Sequence, residues 1–228
     1  MVLLAKDVDL IAVFDTETTG VDVTEARIVT AFLGLMNRSG EMVEKQSWLI
    51  NPGVEIPQGA IDVHGVSNEK AKAEGMDPKQ AVYEMLGAIQ SFTLNAPLVA
   101  YNAAFDLSLL KNEAGRYGFG WNFTAPVVDP FIMDKQVDKF RKGKRTLTVT
   151  SAHYGIDIGE NAHDAEADCV AAGKLAFMML GGSLLGGLTL PYIHERQIVY
   201  AAEQAKGLQA YFRKKDPSAI VDGLWPVR

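Results

Sequence analysis

Residues 10–20 read LIAVFDTETTG, and the other predicted elements are arranged around this stretch. Its first half, residues 10–14, is a short apolar run closed by a polar segment, which is typical of a buried strand. Because residues two apart in an extended chain point to the same side, Asp15 and Glu17 are expected to converge. The stretch therefore predicts a core strand that ends in a pair of carboxylates.

The carboxylate pair at the end of this strand needs something to offset its repulsion. Two like charges ~4 Å apart repel by about 4 kcal/mol at an effective dielectric constant of ~20. A divalent cation held by oxygen ligands is the usual solution. A capped turn that leaves Asp15 and Glu17 in solvent is the alternative, and the pair alone is compatible with both.

The rest of the chain predicts an α/β domain around this strand. Two β-rich runs at residues 27–36 and 41–50 follow with short turns, which indicates an antiparallel meander. Residues 51–65 are rich in glycine and proline and are expected to form a loop. Helices and strands then alternate, so we expect a mixed five-stranded sheet flanked by helices. The remaining predicted elements are helices over 78–92 (with Asp77 as N-cap), 105–117, 130–140, 146–154 and 163–180, and strands over 97–101 and 127–129.

The C-terminal part of the chain predicts an extension to this domain. Residues 181–187 read GGSLLGG, which is typical of a linker. Residues 193–212 carry apolar side chains at helical spacing and predict one amphipathic helix. We therefore divide the chain into a domain over residues 1–182 and an extension over 183–228 that holds linker, helix and tail. The apolar face of the helix either packs back on the domain or docks on a partner.

Composition and charge narrow the class of protein. The chain has 228 residues, 48% of them hydrophobic, with 22 Lys and Arg against 28 Asp and Glu. This is typical of a soluble globular protein and excludes collagen-like, disulfide-rich and wholly disordered classes. The single cysteine, Cys169, fits a reducing cytoplasm. Neither a signal peptide nor an apolar run of ~18 residues is found, so no membrane partner is expected.

Residues 135–145 (KQVDKFRKGKR) hold six basic residues, which either follow a nucleic-acid backbone or form a solvated lobe.

Two further acid clusters follow predicted core elements. Residues 102–106 (NAAFD) place Asp106 at a strand-to-helix junction, and residues 162–168 (AHDAEAD) place His163 and Asp168 at the start of a helix. Each cluster alone is compatible with acids that complement a helix dipole, with His163 as a cap. Together with the first pair they supply about four carboxylates, as a two-metal phosphodiesterase site requires around cations ~3.5–4 Å apart. A histidine beside such a site is suited to act as a base near neutral pH.

The three motifs DTETTG, NAAFD and H-x-x-x-x-D occur here in the order found in the DEDDh, or DnaQ-like, family of 3′–5′ exonucleases, and the chain resembles that family. The group includes the proofreading epsilon subunit of bacterial DNA polymerase III. Residues 51–67 (NPGVEIPQGAIDVHGVS) and 144–156 resemble corresponding segments of the family, and the whole resemblance covers residues 10–180. Tyr101 departs from the pattern, since many members have histidine there, and we expect a local difference in packing.

The resemblance implies a ribonuclease-H-like fold and assigns roles residue by residue. It implies two divalent cations, Mg²⁺ or Mn²⁺, and His163 as the catalytic base that takes a proton from the attacking water. The implied metal ligands, which count among the catalytic residues, are Asp15, Glu17, Asp106 and Asp168. The implied substrate contacts are Thr16, Thr18, His64 and Asn102. For His64, a structural hydrogen bond within its loop is an equally good interpretation.

The implied function is a metal-dependent 3′–5′ exonuclease that releases 5′-mononucleotides from the 3′ end of single-stranded DNA, in proofreading or repair. A DNA polymerase subunit is a candidate partner, and the cytoplasm is the expected compartment. One alternative is an exoribonuclease of the same fold, because the motifs do not decide how the pocket treats a 2′-hydroxyl. The other is a catalytically inactive nucleic-acid-binding module, and the presence of all five active-site residues argues against it.

Overall fold

A computed structural model of the chain describes residues 4–157 and 165–228, and a mixed sheet lies at its centre. The strands are β1 Leu10–Thr18, β2 Ile28–Asn37, β3 Met42–Leu49, β4 Leu98–Val99 and β5 Val127–Val128. The helices are α1 Gln58–His64, α2 Asn68–Glu74, α3 Pro78–Phe92, α4 Ala103–Arg116, α5 Pro130–Val137, α6 Leu147–His153, α7 Ala165–Gly181 and α8 Leu190–Phe212. The strands are ordered β3-β2-β1-β4-β5. Among the described helices, none combines the length and the apolar character needed to cross a membrane.

The central strand β1 is the one that the opening stretch of sequence predicts. It pairs antiparallel with β2 and parallel with β4, while β2 pairs antiparallel with β3, so the expected meander and mixed sheet are confirmed. Ala12 and Phe14 pack in the apolar cluster that includes α3 and α4, whereas Ile11 and Val13 pack in the cluster that includes α7. Because helices cover both faces of the sheet, the first half of β1 is apolar throughout, without alternation.

The predicted loop over residues 51–65 is wrong in its second half, where α1 forms. Pro57 is the N-cap residue of α1, and Gly65 ends the helix in the left-handed conformation, with φ at 74°. The Asn68 side chain fixes the backbone just before this helix. It accepts a hydrogen bond from the Ile56 N–H at 2.8 Å and donates one to the Ile56 carbonyl at 3.0 Å. The proline and glycine that suggested a loop therefore mark the two ends of a short helix.

The second acid motif lies where β4 is joined to α4 by the three residues 100–102. Both β4 and β5 are two residues long, shorter than predicted, and α4 begins at Ala103 rather than at residue 105. Only Leu98 and Val99 of β4 pair with β1. The early start of the helix places Asp106 in its first turn, next to the carboxyl end of the central strand.

The helix α7, which carries Asp168, packs closely on the opposite face of the sheet. A Cβ atom at Gly173 would lie 2.2 Å from Cε of Met36 and 3.0 Å from Cγ1 of Val13. Glycine at this position therefore allows the helix to approach β1 and β2. This close packing brings the first turn of α7 to the end of β1.

The C-terminal helix α8 covers the free edge of β5. Gln197 donates through Nε2 to the Val127 carbonyl at 2.8 Å and accepts the Asp129 N–H at 2.7 Å. Nδ1 of His194 accepts the Val127 N–H at 3.0 Å. These side chains satisfy backbone groups that an edge strand leaves unpaired. The helix thus packs on the domain, but only part of its apolar face is covered, since Ile198, Val199, Leu208 and Phe212 are exposed. The division of the chain at residue 182 stays a prediction.

Candidate active site

Three carboxylates meet at the carboxyl end of β1. Asp15 and Glu17 project from that strand and Asp168 from the first turn of α7, and one oxygen of each lies within 4.8 Å of the others. All three side chains are half-buried. A set of carboxylate oxygens at this separation suits a hard divalent cation such as Mg²⁺ or Mn²⁺. The chain thus holds an acidic cluster able to bind a metal ion.

Asp106 is linked to this cluster by hydrogen bonds from Thr16, the residue between the two acids of β1. Its carboxylate is 3% exposed, and Oδ1 accepts two hydrogen bonds from Thr16, from the backbone N–H at 3.1 Å and from the hydroxyl at 2.7 Å. Among the described residues, Asp106 is not part of the 4.8 Å cluster and contacts the strand that carries Asp15 and Glu17. The first and second acid motifs are therefore connected directly.

The electrostatics of this region favour the binding of a cation. Burial raises the pKa of Asp106 to about 7, although the hydrogen bonds from Thr16 oppose the shift. Burial, and then the charges of Asp15, Asp106 and Asp168, raise the pKa of the adjacent Cys169 thiol. A cation among these acids would lower the pKa of Asp106 and keep it ionised at neutral pH. Cys169 itself is buried and remains a small apolar side chain.

The predicted base, His163, lies outside the described residues. Its assignment continues to rest on the sequence motif alone. Asp168, five residues further along the chain, belongs to the described part and reaches the acidic cluster. The third motif is therefore represented in the structure by its aspartate.

The predicted substrate contacts Thr16 and Thr18 make hydrogen bonds within the protein. Thr16 is 6% exposed, and its hydroxyl donates to Asp106. The half-buried Thr18 donates through its hydroxyl to the Gly20 carbonyl at 2.7 Å and accepts the Gly20 N–H at 3.3 Å. In this structure Thr16 positions an acid, and Thr18 stabilises the turn that follows β1.

His64 lies in a cleft beside the acids. The cleft has a volume of 380 Å³ and is lined by Glu17, His64, Lys70 and Glu166 among others. Nδ1 of His64 accepts the Val66 N–H at 3.1 Å, which is the structural hydrogen bond offered as an alternative. Burial lowers the pKa of His64, and the Thr18 backbone opposes this shift. The His64 ring therefore has a structural contact and also lines the cleft, together with Glu17.

Asn102 and the start of α4 are held by a residue that the sequence did not single out, Asp129. Asn102 is the N-cap residue of α4 in the left-handed conformation, with φ at 65°. The Asp129 carboxylate accepts the N–H groups of Asn102 at 2.9 Å and Ala103 at 3.0 Å, and the Trp225 indole N–H at 3.1 Å. Burial raises the pKa of Asp129 to about 6.

Asp129 thus fixes the N-terminus of the helix that carries Asp106. One sequence signal could have found it, because Asp129 follows two valines and precedes Pro130, at a strand-to-helix junction like that of Asp106. The contact from Trp225 has no such signal, since it comes from the other end of the chain.

Comparison with known proteins identifies the family. A family model described as exonuclease, of the RNase T type, matches residues 12–176, which include all five residues proposed for the active site. The chain belongs to this exonuclease family, and the family and enzyme class expected from the three motifs are confirmed.

One curated relative is a DNA polymerase III subunit epsilon-like protein of Rhodobacter capsulatus. It is 31% identical over 180 residues, which make up 78% of this chain and 24% of the relative. The chain therefore spans about a quarter of the length of that relative.

Two solved structures share the fold. Exonuclease I of E. coli in complex with a dT13 oligonucleotide superposes with a TM-score of 0.63 at 19% identity, covering 75% of this chain and 41% of that one. The nuclease domain of 3′hExo, a DEDDh family member bound to rAMP, superposes with a TM-score of 0.60 at 16% identity, covering 76% and 92%. The ribonuclease-H-like fold is confirmed by these likenesses and by the mixed sheet.

Proposed function

We propose that the protein is a metal-dependent 3′–5′ exonuclease that releases 5′-mononucleotides from the 3′ end of single-stranded DNA. The observation that carries this proposal is the convergence of Asp15, Glu17 and Asp168 within 4.8 Å at the end of β1. The buried Asp106 is tied to the same strand through Thr16. Four acids from three chain segments supply the ligand set that two-metal phosphodiester hydrolysis requires.

The donor set fits two divalent cations, Mg²⁺ or Mn²⁺, with Asp15, Glu17, Asp106 and Asp168 as the residues that would hold them. When bound, such cations lower the pKa of a water molecule and stabilise charge on the leaving 3′ oxygen. His163 takes the proton from the attacking water as general base. Thr16 and Asp129 keep Asp106 in place, through β1 and through the start of α4 respectively.

The cleft beside Glu17 is the proposed site of the terminal nucleotide. His64 faces this cleft, and its lowered pKa keeps the imidazole neutral at physiological pH, so that it can form hydrogen bonds to a nucleotide without adding charge. Asn102 is the N-cap residue of α4, four residues before Asp106, and Thr18 is the last residue of β1. Thr16, Thr18, His64 and Asn102 remain our proposed substrate-binding set, with Thr16 acting mainly through Asp106.

DNA is the proposed substrate, in proofreading or repair. The name of the Rhodobacter relative and the dT13 oligonucleotide bound to E. coli Exonuclease I support this choice. The name of the Rhodobacter relative also supports a DNA polymerase subunit as partner and, with the buried free Cys169, the cytoplasm as compartment. The alternative of an exoribonuclease is favoured by one observation, the rAMP bound to 3′hExo.

The test is digestion of matched single-stranded DNA and RNA labelled at the 3′ end, with Mg²⁺, with Mn²⁺ and with EDTA. We expect the label to leave DNA as a mononucleotide from the earliest time point, faster than it leaves RNA, and only when metal is present. A 3′-phosphorothioate oligonucleotide is the control for direction. Release of internal fragments, or metal-independent cleavage, contradicts the proposed function, and faster release from RNA favours the alternative.

A further inference from the structure

We propose that residues 139–144, named here the basic tip, bind the nucleic-acid strand upstream of its 3′ end. This inference rests on the proposed function, because it extends the substrate contact beyond the terminal nucleotide. The basic tip connects α5 to α6 and contains Lys139, Phe140, Lys142 and Lys144. Its partner is a single strand whose phosphates meet the lysines and one of whose bases stacks on Phe140.

Five of the six basic residues of the 135–145 run divide into two groups in the structure, and the sixth, Lys135, lies over the Phe131 ring. Arg141 and Arg145 turn inward, with side chains 11% and 12% exposed, and both pair with Asp134, which is fully buried. Nη1 of Arg145 lies 2.6 Å from Oδ2 of Asp134, and the Tyr154 hydroxyl donates to Oδ1 of Asp134 at 3.1 Å. These arginines are held by ion pairs within the protein, and they anchor the base of the lobe formed by residues 135–145.

Apart from Arg141, the side chains of the basic tip point outward, and its lysines carry positive charge. Lys139, Lys142 and Lys144 are exposed, and within the part of the chain that the structure describes no carboxylate forms an ion pair with any of them. The protein as a whole has a net charge of −6 and repels a polyanion. The three lysines therefore form a local positive patch that attracts one.

Phe140 stands among these lysines with its side chain in solvent. It is 94% exposed, the most exposed of the large apolar residues in the described chain. An exposed ring flanked by lysines combines the two elements of sequence-tolerant single-strand binding, a stacking platform and phosphate contacts. A protein partner is less well matched, because a single ring between lysines offers no continuous apolar patch.

The lobe is attached at the end of the sheet where the acids lie, the carboxyl end of β1 and β4. The Tyr101 hydroxyl donates to the Arg145 carbonyl at 2.8 Å and lies 2.8 Å from the Thr150 hydroxyl. Tyr101 immediately precedes Asn102, the N-cap residue of the helix that carries Asp106. The residue that departs from the family pattern therefore joins the base of the lobe to the β4–α4 junction. A strand that leaves the site on this side meets the basic tip.

The first test compares a triple variant, Lys139→Ala with Lys142→Ala and Lys144→Ala, with the wild type on two substrates. One is a dT oligonucleotide of about 16 nucleotides, and the other is the p-nitrophenyl ester of thymidine 5′-monophosphate, which has no upstream strand. We expect KM for the oligonucleotide to rise about tenfold or more, with kcat and the ester activity unchanged. The slope of log affinity against log salt should become shallower by about two, since three phosphate contacts on a single strand account for ~0.7 each.

Matched variants separate stacking from charge. Phe140→Ala should weaken oligonucleotide binding about tenfold, whereas Phe140→Trp should retain it, because base–aromatic stacking is preserved. Lys206→Ala with Lys214→Ala and Lys215→Ala removes the same charge from exposed positions on and beyond α8 and should leave both KM and the salt slope unchanged. All of the altered side chains are exposed, and thermal unfolding checks that each variant is folded.

Binding of the oligonucleotide in EDTA, followed by fluorescence anisotropy, separates this inference from the proposed function. Weaker binding by the triple variant, but not by the control variant, supports the basic tip whether or not the wild type releases nucleotides. Unchanged binding and unchanged KM overturn it, even if the wild type is a fully active exonuclease, and would leave the tip as a surface for a protein partner.

Discussion

Thr16 and Asp106, separated by 90 positions in the sequence, are joined by two hydrogen bonds to one carboxylate oxygen. Thr16 lies between the two acids of β1, and Asp106 lies in the first turn of α4. The position of the buried acid is therefore set by the strand that carries the other two. This contact organises the site independently of any bound ion, and it gives Thr16 a positioning role beside the substrate contact that the family resemblance implies.

Thr16→Val should lower kcat/KM about tenfold or more, because it removes a hydrogen bond to a buried carboxylate that typically contributes ~1.5–3 kcal/mol. Thr16→Ser keeps the hydroxyl and should retain most of the activity. Calorimetric titration with Mn²⁺ distinguishes the two roles of Thr16. Weaker Mn²⁺ binding by Thr16→Val supports positioning of Asp106, whereas a higher KM with unchanged Mn²⁺ affinity would identify a substrate contact instead.

Asp15→Ala, Asp106→Ala and Asp168→Ala should each nearly abolish nucleotide release. Each removes a proposed ligand from a shared metal site, and the lost transition-state stabilisation amounts to several kcal/mol. Glu203→Ala removes an exposed acid on α8 and is the control, with activity expected near that of the wild type. If any of the three variants keeps more than about a tenth of the wild-type rate, that residue is not a ligand of the reacting centre.

His163→Ala should reduce turnover ~10²–10⁴-fold, the usual effect of losing a general base, while metal binding persists. The measurement pairs single-turnover rates on an oligonucleotide with a Mn²⁺ titration of the same variant. A collapse of Mn²⁺ affinity would show that His163 is a metal ligand rather than a base.

Trp225→Phe should destabilise the protein by about 1–2 kcal/mol near pH 7.5 and by less near pH 5. The indole N–H donates to Asp129, whose pKa is raised by burial to about 6, and its loss raises that pKa further. Because the folded pKa lies above the ordinary value, the native state binds more protons between about pH 4 and 6, and stability from this group falls as the pH rises. The variant therefore loses most where Asp129 is ionised.

Urea unfolding of the wild type and Trp225→Phe at the two pH values measures this difference. Arg213→Ala is a suitable control, since that side chain is exposed and its hydrogen bond is to the Ala219 carbonyl, far from Asp129 in the sequence. An equal loss of stability at both pH values would mean that the indole contributes by packing alone.

The sequence predicted those parts of the fold that local chemistry determines. The apolar run before Asp15 became the central strand, and Asp77 and Pro78 begin α3 as expected, with the Asp77 side chain accepting the Gln80 N–H at 3.0 Å. The predicted lengths of the two parallel strands are too long, because β4 and β5 each end after two residues, shortly before the next helix begins. At α1, glycine and proline marked the ends of an element rather than its absence.

Long-range contacts of the site could not be predicted in the same way. The sequence motifs named the acids, but the hydrogen bonds from Thr16 to Asp106 and from Trp225 to Asp129 join segments far apart in the chain. Likewise, the apolar face of α8 required a partner, yet periodicity does not identify which surface it covers. In the structure α8 buries Leu190, Ile193, Ala201 and Ala205 against the domain, and the polar Gln197 bonds to the free edge of β5. Other apolar side chains of the predicted face remain exposed, namely Ile198, Val199, Leu208 and Phe212.

Thermal unfolding of the wild type and Asp15→Asn, with EDTA or with Mg²⁺, tests whether the acids at the end of β1 form a metal site. Without metal, Asp15→Asn should melt at a higher temperature than the wild type, because one of the converging carboxylates becomes neutral. Mg²⁺ should then raise the melting temperature of the wild type much more than that of the variant, since only the wild type binds it well. Equal Mg²⁺-dependent shifts in the two proteins would show that these acids do not form a metal site.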